Sequence, residues 1–240
     1  IGLFSTKGEL LDKWEIVTRK DEGGSLILSD VAKAVEDKLI ELKVSKDDVS
    51  GIGLGVPGPI TEDGRVLKCV NLGWGIFNVA EEVTKLTGIE NVKVGNDANV
   101  AALGEMWKGG GRGYKNMVMV TLGTGVGGGI IINGKILAGS NGAAGEIGHL
   151  TVNYDEEETC GCGKKGCLEQ FASATGIVKE ANRLLFESDK PSKLRDIQYL
   201  SAKAIFDTAK EGDELSLFTE RIIYHLCHRN VSGFCIYFGF

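Results

Sequence analysis

The chain has 240 residues, of which 42% are hydrophobic and 25% charged, as is ordinary for a globular protein of one large or two small domains. Its net charge of −6 argues against a nucleic-acid surface, for which a basic patch is the expected footprint. The sequence has no secretory signal at its start, no lysine-rich amphipathic stretch, and no apolar run near the roughly 18 residues of a spanning helix. We therefore expect no nucleic-acid or membrane partner and a cytoplasmic setting.

The first half of the chain alternates apolar runs with turn signals. The predicted elements are two short strands within 1–18, a helix at 29–44, a buried strand at 49–60, a short helix at 79–88, and a strand at 92–97 that leads directly into a helix. This alternation of strands and helices indicates an α/β fold.

The second half begins with two apolar strands around a glycine-rich turn, at 116–139, with a second turn at Asn133-Gly134. Helices are predicted at 168–186, at 201–212 and from Asp213 onward. The glycine-rich stretch at 108–116 is the favoured boundary, which gives an N-terminal domain at 1–115 and a larger one at 116–240.

The first candidate site is the segment GND at 95–97, where polar residues end a strand and open a helix. Open α/β sheets bind ligands at this position. Asn96 offers a donor and an acceptor, and the Asp97 carboxylate can accept a proton from a hydroxyl. The structural alternative is a plain helix cap, for which Asp is also favoured.

The second candidate is TLGTGVGGG at 121–129, which exposes backbone N–H groups without Cβ obstruction. Such loops cradle phosphates. It is not a Walker A motif, because no Gly-Lys-Ser/Thr follows, and a hairpin turn is an equally good explanation.

The third candidate is GEIGH at 145–149, in which Glu146 and His149 stand three residues apart. A carboxylate with a neighbouring imidazole can hold vicinal sugar hydroxyls. The alternative is a surface pair without a ligand.

Three of the six cysteines, Cys160, Cys162 and Cys167, lie within eight residues, and His149 precedes them by eleven. One imidazole and three thiolates suit a closed tetrahedral zinc site. A disulfide would leave one thiol over, and disulfides are rare in a reducing compartment. Zinc is therefore favoured over a disulfide or a chance cluster.

Five segments, in this order, resemble the ROK family of sugar kinases and sugar-responsive repressors: GVPGPI, VGNDANVAALGE, TLGTGVGGGI, GAAGEIGH and CGCGKKGCLE. The resemblance covers nearly the whole chain and points to the bacterial ATP-dependent glucokinases of that family. It implies a two-domain actin-like ATPase fold, of the ribonuclease H-like type, with the active site in the cleft.

The resemblance also implies a role for each candidate residue. Asp97 would be the general base that takes the proton from the sugar 6-hydroxyl. The sugar would be held by Asn96, Asp97, Glu146, His149 and Glu169. The ATP phosphates, with Mg²⁺, would contact Thr121, Gly123, Thr124, Gly125, Gly127 and Gly128. A structural zinc ion would be held by His149, Cys160, Cys162 and Cys167.

Two departures from the family pattern lie at the ends of the chain. Family members begin with a strand that carries an Asp-x-Gly-Gly-Thr-type phosphate loop, and they continue to a glycine-rich adenosine-binding turn, whereas this sequence runs from Ile1 to Phe240. We therefore expect a fragment of a longer kinase, with the fold incomplete at both termini. Its sugar and zinc sites would be retained, and its ATP binding and turnover would be weak or lost.

The predicted function is ATP-dependent phosphorylation of glucose at the 6-hydroxyl, giving glucose 6-phosphate for glycolysis. A kinase for another hexose or an N-acetylhexosamine stays open, and so does a sugar-responsive transcriptional repressor, which would need an upstream helix-turn-helix module. Asp97 favours a kinase, because a pure sensor can dispense with it. Dimers are common in such kinases, so a homodimer is one expected assembly.

Overall fold

The computed structural model describes residues 1–67, 69–230 and 235–238. The chain divides into two compact units, the first made of Ile1–Val100 with Ala138–Ala143 and the second of Ala101–Leu137 with Ala144–Phe240. This division falls inside a helix, whereas the domain boundary expected after residue 115 stays a prediction. No helix among the described residues combines the length and the apolar character needed to cross a membrane.

The first unit contains a parallel strand pair that ends at the first candidate site. Its strands are β1 (Gly2–Phe4), β2 (Leu10–Lys13), β3 (Ile52–Val56), β4 (Arg65–Val66), β5 (Phe77–Asn78) and β6 (Val92–Asn96). Its helices are α1 (Asp21–Gly24), α2 (Ile27–Leu42), α3 (Val79–Thr87) and the first turn of α4 (Asp97–Lys108). Strands β3 and β6 are parallel, with Val56 opposite Asn96, and the pairs β1–β2 and β4–β5 are antiparallel.

Helix α3 shows how the local sequence sets the ends of an element. The side chain of Asn78 accepts a hydrogen bond from the N–H of Glu81 at 3.2 Å and so caps the first turn. The helix ends at Gly88, whose φ of 75° is left-handed, which confirms the predicted glycine stop. Its buried residues Val79 and Val83 share a core cluster with the buried valines of β3 and β6, so the helix supports the strand pair.

Helix α2 begins at Ile27, so the start predicted at Ser29 is wrong. The hydroxyl of Ser29 donates to the carbonyl of Leu26 at 2.8 Å instead of accepting a backbone N–H, and it therefore does not cap the helix. Near the end of the helix, Leu39 is buried but Leu42 is 40% exposed. Lys43, with a φ of 55°, ends the helix in the left-handed conformation.

The second unit is built on one four-stranded sheet in the order β10-β7-β8-β9. Its strands are β7 (Met117–Leu122), β8 (Val126–Ile132), β9 (Lys135–Ile136) and β10 (Cys235–Phe238). Its helices are the rest of α4, α5 (Glu169–Ala172), α6 (Ala174–Glu187), α7 (Ala202–Lys210) and α8 (Glu214–Asn230). The predicted turn at Asn133-Gly134 is confirmed, with both residues at positive φ, as a hairpin turn requires.

Two sequence predictions in this unit are wrong. The helix expected over 168–186 is broken at Ser173, which adopts φ −71°, ψ 165° and accepts a hydrogen bond from the N–H of Gly176 at 3.2 Å, so that a second helix starts there. The chain from Asp213 onward is not helical throughout, because β10 pairs in parallel with β7. The remainder of that predicted helix, at 231–234 and 239–240, lies outside the described residues.

The carboxylate of Asp213 joins helix α8 to the segment before α7. It accepts hydrogen bonds from the N–H of Lys193 at 2.7 Å, the hydroxyl of Ser192 at 3.0 Å, and the N–H and hydroxyl of Ser216 at 3.0 and 2.9 Å. Burial acts to raise the pKa of Asp213, but the hydrogen bonds from Ser216, Lys193 and Ser192 outweigh it and hold that pKa below its usual value.

Candidate active site and metal centre

Asp97 stands where a parallel strand runs into a helix. Asn96 is the last residue of β6 and Asp97 the first of α4, so the carboxylate lies at the sheet edge where α/β proteins bind ligands. Asp97 is exposed, and its Oδ1 accepts a hydrogen bond from the N–H of Ala98 at 2.9 Å. This bond orients the carboxylate while leaving it open to a ligand.

Asn96 makes the helix cap that the sequence offered as an alternative for this segment. Its Oδ1 accepts from the N–H of Asn99 at 3.1 Å, and its Nδ2 donates to the carbonyl of Gly58 at 3.2 Å. A primary amide has two N–H bonds and two lone pairs, so each end keeps one position for a further partner. Capping by Asn96 therefore leaves Asp97 free of that task and does not exclude a contact to sugar.

The glycine-rich segment is a tight hairpin between β7 and β8. Thr121 stands opposite Gly127 in the ladder, and only residues 123–125 lie outside the two strands. The N–H of Gly123 donates to the carbonyl of Gly125 at 2.9 Å, which closes the turn. A hairpin thus accounts for Thr121, Gly127 and their neighbour Gly128. Of the proposed phosphate contacts, the turn itself contains Gly123, Thr124 and Gly125.

The segment that carries Glu146 and His149 packs directly on β8, because glycines line the contact. A Cβ on Gly145 would lie 2.5 Å from the carbonyl oxygen of Gly128. A Cβ on Gly148 would lie 3.0 Å from the carbonyl carbon of Val126 and closer still to its oxygen. Such backbone-on-backbone contact requires residues without a Cβ. It fixes the short 3₁₀ turn Ile147–His149 on the strand, with Glu146 exposed at its start.

The four predicted metal ligands lie together in the second unit. One ligand atom from each of His149, Cys160, Cys162 and Cys167 falls within 4.8 Å of all the others. The Sγ of Cys160 is 3.7 Å from Nδ1 of His149, and the Sγ atoms of Cys162 and Cys167 are 3.6 Å apart. Ligand atoms about 2.0–2.3 Å from a tetrahedral ion are about 3.5–3.8 Å from one another, so the cluster has the dimensions of a metal site.

The same distances argue against a disulfide. An S–S bond measures about 2.05 Å, well short of the separation between Cys162 and Cys167. The described cysteines of the cluster are all free thiols. The residues present therefore fit a tetrahedral cation with one nitrogen and three sulfur ligands.

The surroundings of the thiols differ. Burial raises the pKa of the Cys167 thiol to about 12. The backbone N–H of Lys164 has the opposite effect on exposed Cys162 and lowers the pKa of its thiol. A metal binds thiolates, so a cation in the cluster would offset the cost of ionising the buried sulfur.

Two side chains that the sequence did not single out support the cluster. Gln170 accepts from the N–H of Cys167 at 2.9 Å and donates to the carbonyl of Glu158 at 3.0 Å. Lys164 donates to the carbonyl of His149 at 2.7 Å. Partners of this kind orient metal ligands. Neither side chain is one of the four predicted metal ligands. The only signal in the sequence was position, since Lys164 lies within CGCGKKGCLE and Gln170 directly follows it.

Glu169 begins α5, two residues after the ligand Cys167, and its carboxylate reaches the hairpin turn. The Oε2 atom accepts a hydrogen bond from the N–H of Val126 at 3.0 Å. The metal cluster, the hairpin turn and the segment of Glu146 thus meet within the second unit. Asp97 and Asn96 belong to the first unit, and their role with these residues stays a prediction.

A separate pocket of about 350 Å³ lies in the first unit, around Trp74, Phe77 and Leu28. It contains none of the predicted site residues. The indole N–H of Trp74 donates to the carbonyl of Gly24 at 2.9 Å, so the ring is a fixed part of the core.

Comparisons with known proteins agree with this architecture. The sequence model of the ROK family matches residues 1–235. A glucokinase of Halalkalibacterium halodurans is 47% identical over 231 residues, covering 94% of this chain and 70% of that protein. A ROK family glucokinase from Streptomyces griseus, solved with glucose and AMPPNP, has a TM-score of 0.76 and 29% identity over 99% of this chain and 78% of its own.

A ROK family transcriptional regulator, described as a homologue of the E. coli MLC protein, has a TM-score of 0.84 at 26% identity, with 96% of this chain and 57% of its own covered. The fold is therefore the actin-like ATPase fold, as expected from the sequence. The chain belongs to the ROK family.

Proposed function

We propose that this protein is an ATP-dependent glucokinase that phosphorylates the 6-hydroxyl of glucose. The observation that carries the proposal is the exposed carboxylate of Asp97 at the end of β6, in a chain 47% identical to a named glucokinase. Phosphoryl transfer passes through a loose transition state, so an enzyme contributes chiefly positioning and charge stabilisation. A fixed, solvent-reaching carboxylate is sufficient for the acid–base part of such a reaction.

Asp97 is the proposed general base. The N–H of Ala98 holds its Oδ1, so the carboxylate has a defined orientation in which to accept the proton of the sugar hydroxyl. That proton leaves the hydroxyl late, as the oxygen bonds to phosphorus. Asn96, which caps α4, is proposed to contact the sugar with its remaining hydrogen-bonding positions.

Glu146, His149 and Glu169 are the proposed partners of the other sugar hydroxyls. Nδ1 of His149 faces the thiol of Cys160, so the ring is proposed to bind metal through Nδ1 and to present Nε2 to the sugar. A neutral imidazole bound to metal on one side donates from the other, and Glu146 and Glu169 accept from hydroxyls. The two kinds of group together suit a ligand with alternating donors and acceptors.

Zinc is the proposed metal, held by His149, Cys160, Cys162 and Cys167. The support is the ligand set of one nitrogen and three sulfurs, and the spacing of 3.6–3.7 Å between ligand atoms. With four protein ligands the ion has no open position, so it would supply structure and no Lewis-acid chemistry. Its proposed task is to hold His149 and the segment leading to Glu169.

ATP is the proposed phosphoryl donor, bound with Mg²⁺. The turn of Gly123, Thr124 and Gly125 is the proposed contact to its phosphates, because backbone N–H groups of glycine-rich turns bind anions. A cytoplasmic setting, where thiols stay reduced, suits the cysteine ligands. A homodimer is proposed because dimers are common among such kinases, and its mass can be measured by sedimentation.

A coupled assay of ADP release with Mg-ATP tests the function, with glucose, mannose, fructose and N-acetylglucosamine as acceptors. We expect the highest kcat/KM with glucose. A preference for an N-acetylated sugar would move the protein to another kinase of the same family. Sugar binding without turnover would favour a sugar-responsive regulator; one structural relative is a ROK family transcriptional regulator.

A further inference from the structure

The carboxylate of Glu169 rests on Gly125 in the hairpin turn. Its Oε2 accepts the N–H of Val126 at 3.0 Å, and a Cβ built on Gly125 would lie 3.3 Å from the Cδ of Glu169 and well inside contact distance of Oε2. Apart from the adjacent residues Thr124 and Val126, no other described residue has an atom within 4 Å of that Cβ position. The Glu169 carboxylate therefore occupies the space that a side chain at position 125 would fill.

The backbone of the turn does not itself require glycine here. Gly125 is not among the glycines with positive φ, so it does not adopt the left-handed conformation that favours glycine. Glycine-rich turns are usually explained by backbone conformation or by the close approach of a phosphate. At this position the close approach is made by a carboxylate of the same chain.

We propose that Gly125 and the N–H of Val126 form a cradle that positions the Glu169 carboxylate for the sugar. This part of the turn would then serve sugar binding. A phosphate would be left with the amide of Thr124, because the N–H of Gly123 already donates to the carbonyl of Gly125. The inference deepens the proposed function and rests on it, because it takes Glu169 as a sugar ligand. Gly125 is a positioning residue in this account, since it acts through Glu169.

Three variants test the cradle: Gly125→Ala, Glu169→Asp and the double variant. Gly104→Ala on α4 is the matched control, because an added Cβ there meets no described residue outside its own helix within 4 Å. Gly125→Ala should raise the KM for glucose about 10-fold, the scale of one hydrogen bond to a charged group, and leave the KM for ATP unchanged. Glu169→Asp withdraws the carboxylate by one methylene from the new Cβ. The double variant should therefore be less impaired than the product of the two single effects.

Melting temperature gives a measurement that needs no sugar. Gly125→Ala should lower it slightly in the parent chain and leave it unchanged in a Glu169→Ala background, where the obstructing carboxylate is gone. Coupling of this kind would support the geometry.

If the parent enzyme is active, three results would each overturn this inference while leaving the proposed function intact. They are an unchanged KM for glucose in Gly125→Ala, a change only in the KM for ATP, or a double variant whose effect equals the product of the two single effects. A parent chain that neither binds nor phosphorylates glucose would overturn the proposed function, and the sugar role of Gly125 with it. The melting series would still report whether Gly125 positions Glu169.

Discussion

Replacing Gly148 with alanine is expected to damage the metal centre without touching any ligand. The added Cβ would lie 3.0 Å from both the carbonyl carbon and the Cβ of Val126, and nearer still to the carbonyl oxygen. These are mainly backbone atoms of β8, which is paired with β7 at this residue and cannot rotate away. The turn Ile147–His149 must therefore move instead.

The size of the effect follows from the overlap. Ordinary van der Waals contact begins at 3.4 Å, so the turn must retreat by more than about 0.4 Å, whereas metal–ligand distances tolerate only about 0.2 Å. Overpacking of this kind costs about 1–3 kcal/mol in a well-packed interior. In a chain of this size that corresponds to a fall in Tm of about 2–12 °C, before any loss of bound metal is counted.

The assay combines metal analysis of the purified protein with thermal unfolding, with and without a chelator. Gly161→Ala is the matched control, because Gly161 lies between two ligands but an added Cβ there meets nothing within 4 Å among the described residues, and its φ is not positive. We expect the control to keep its metal content and its Tm. Gly148→Ala should bind less metal and have a lower Tm. Equal metal content and equal Tm in the two variants would refute the argument from close packing.

Three further outcomes are expected. Asp97→Asn should lower kcat by about 10² or more with little change in glucose affinity, since it removes the proposed base and keeps the shape; near-normal turnover would reduce Asp97 to a helix terminus. Cys162→Ser should abolish a zinc content of about one per chain and lower Tm, and a fully stable metal-free parent protein would contradict the zinc site. Asp213→Asn should cost about 1 kcal/mol at pH 7; because the folded pKa of Asp213 is lowered, this difference is present above the unfolded pKa near 3.8 and should shrink as pH falls below it, as melting curves from pH 7 to 3 would show.

The sequence predicted best what depends on short spacing. His149 and the three cysteines were expected to meet because they lie close in sequence and suit one tetrahedral ion, and they do meet. The stop of α3 at Gly88 followed from the same local logic. The role of the cluster as a zinc site remains a proposal.

What failed was set by contacts distant in sequence. Ser173 lies in a run with helical periodicity, but the N–H of the next residue, Ala174, donates to the distant carbonyl of Gly123 at 2.8 Å. Strand β10 pairs with a strand more than a hundred residues earlier, which no local pattern announces. The glycines at 121–129 had two explanations, and their division between sheet and turn depends on the register of Thr121 with Gly127.

The glycine contact on β8 also has a genetic consequence. Glycine is the only amino acid without a Cβ, so every missense codon at Gly128, Gly145 or Gly148 introduces an atom into a backbone contact that has no room for one. No conservative replacement exists at these three positions, whereas Gly161, which lies between two predicted metal ligands, faces open space. At Gly128, Gly145 and Gly148, mutational tolerance is thus set by the contact along β8, and not by distance from the metal ligands.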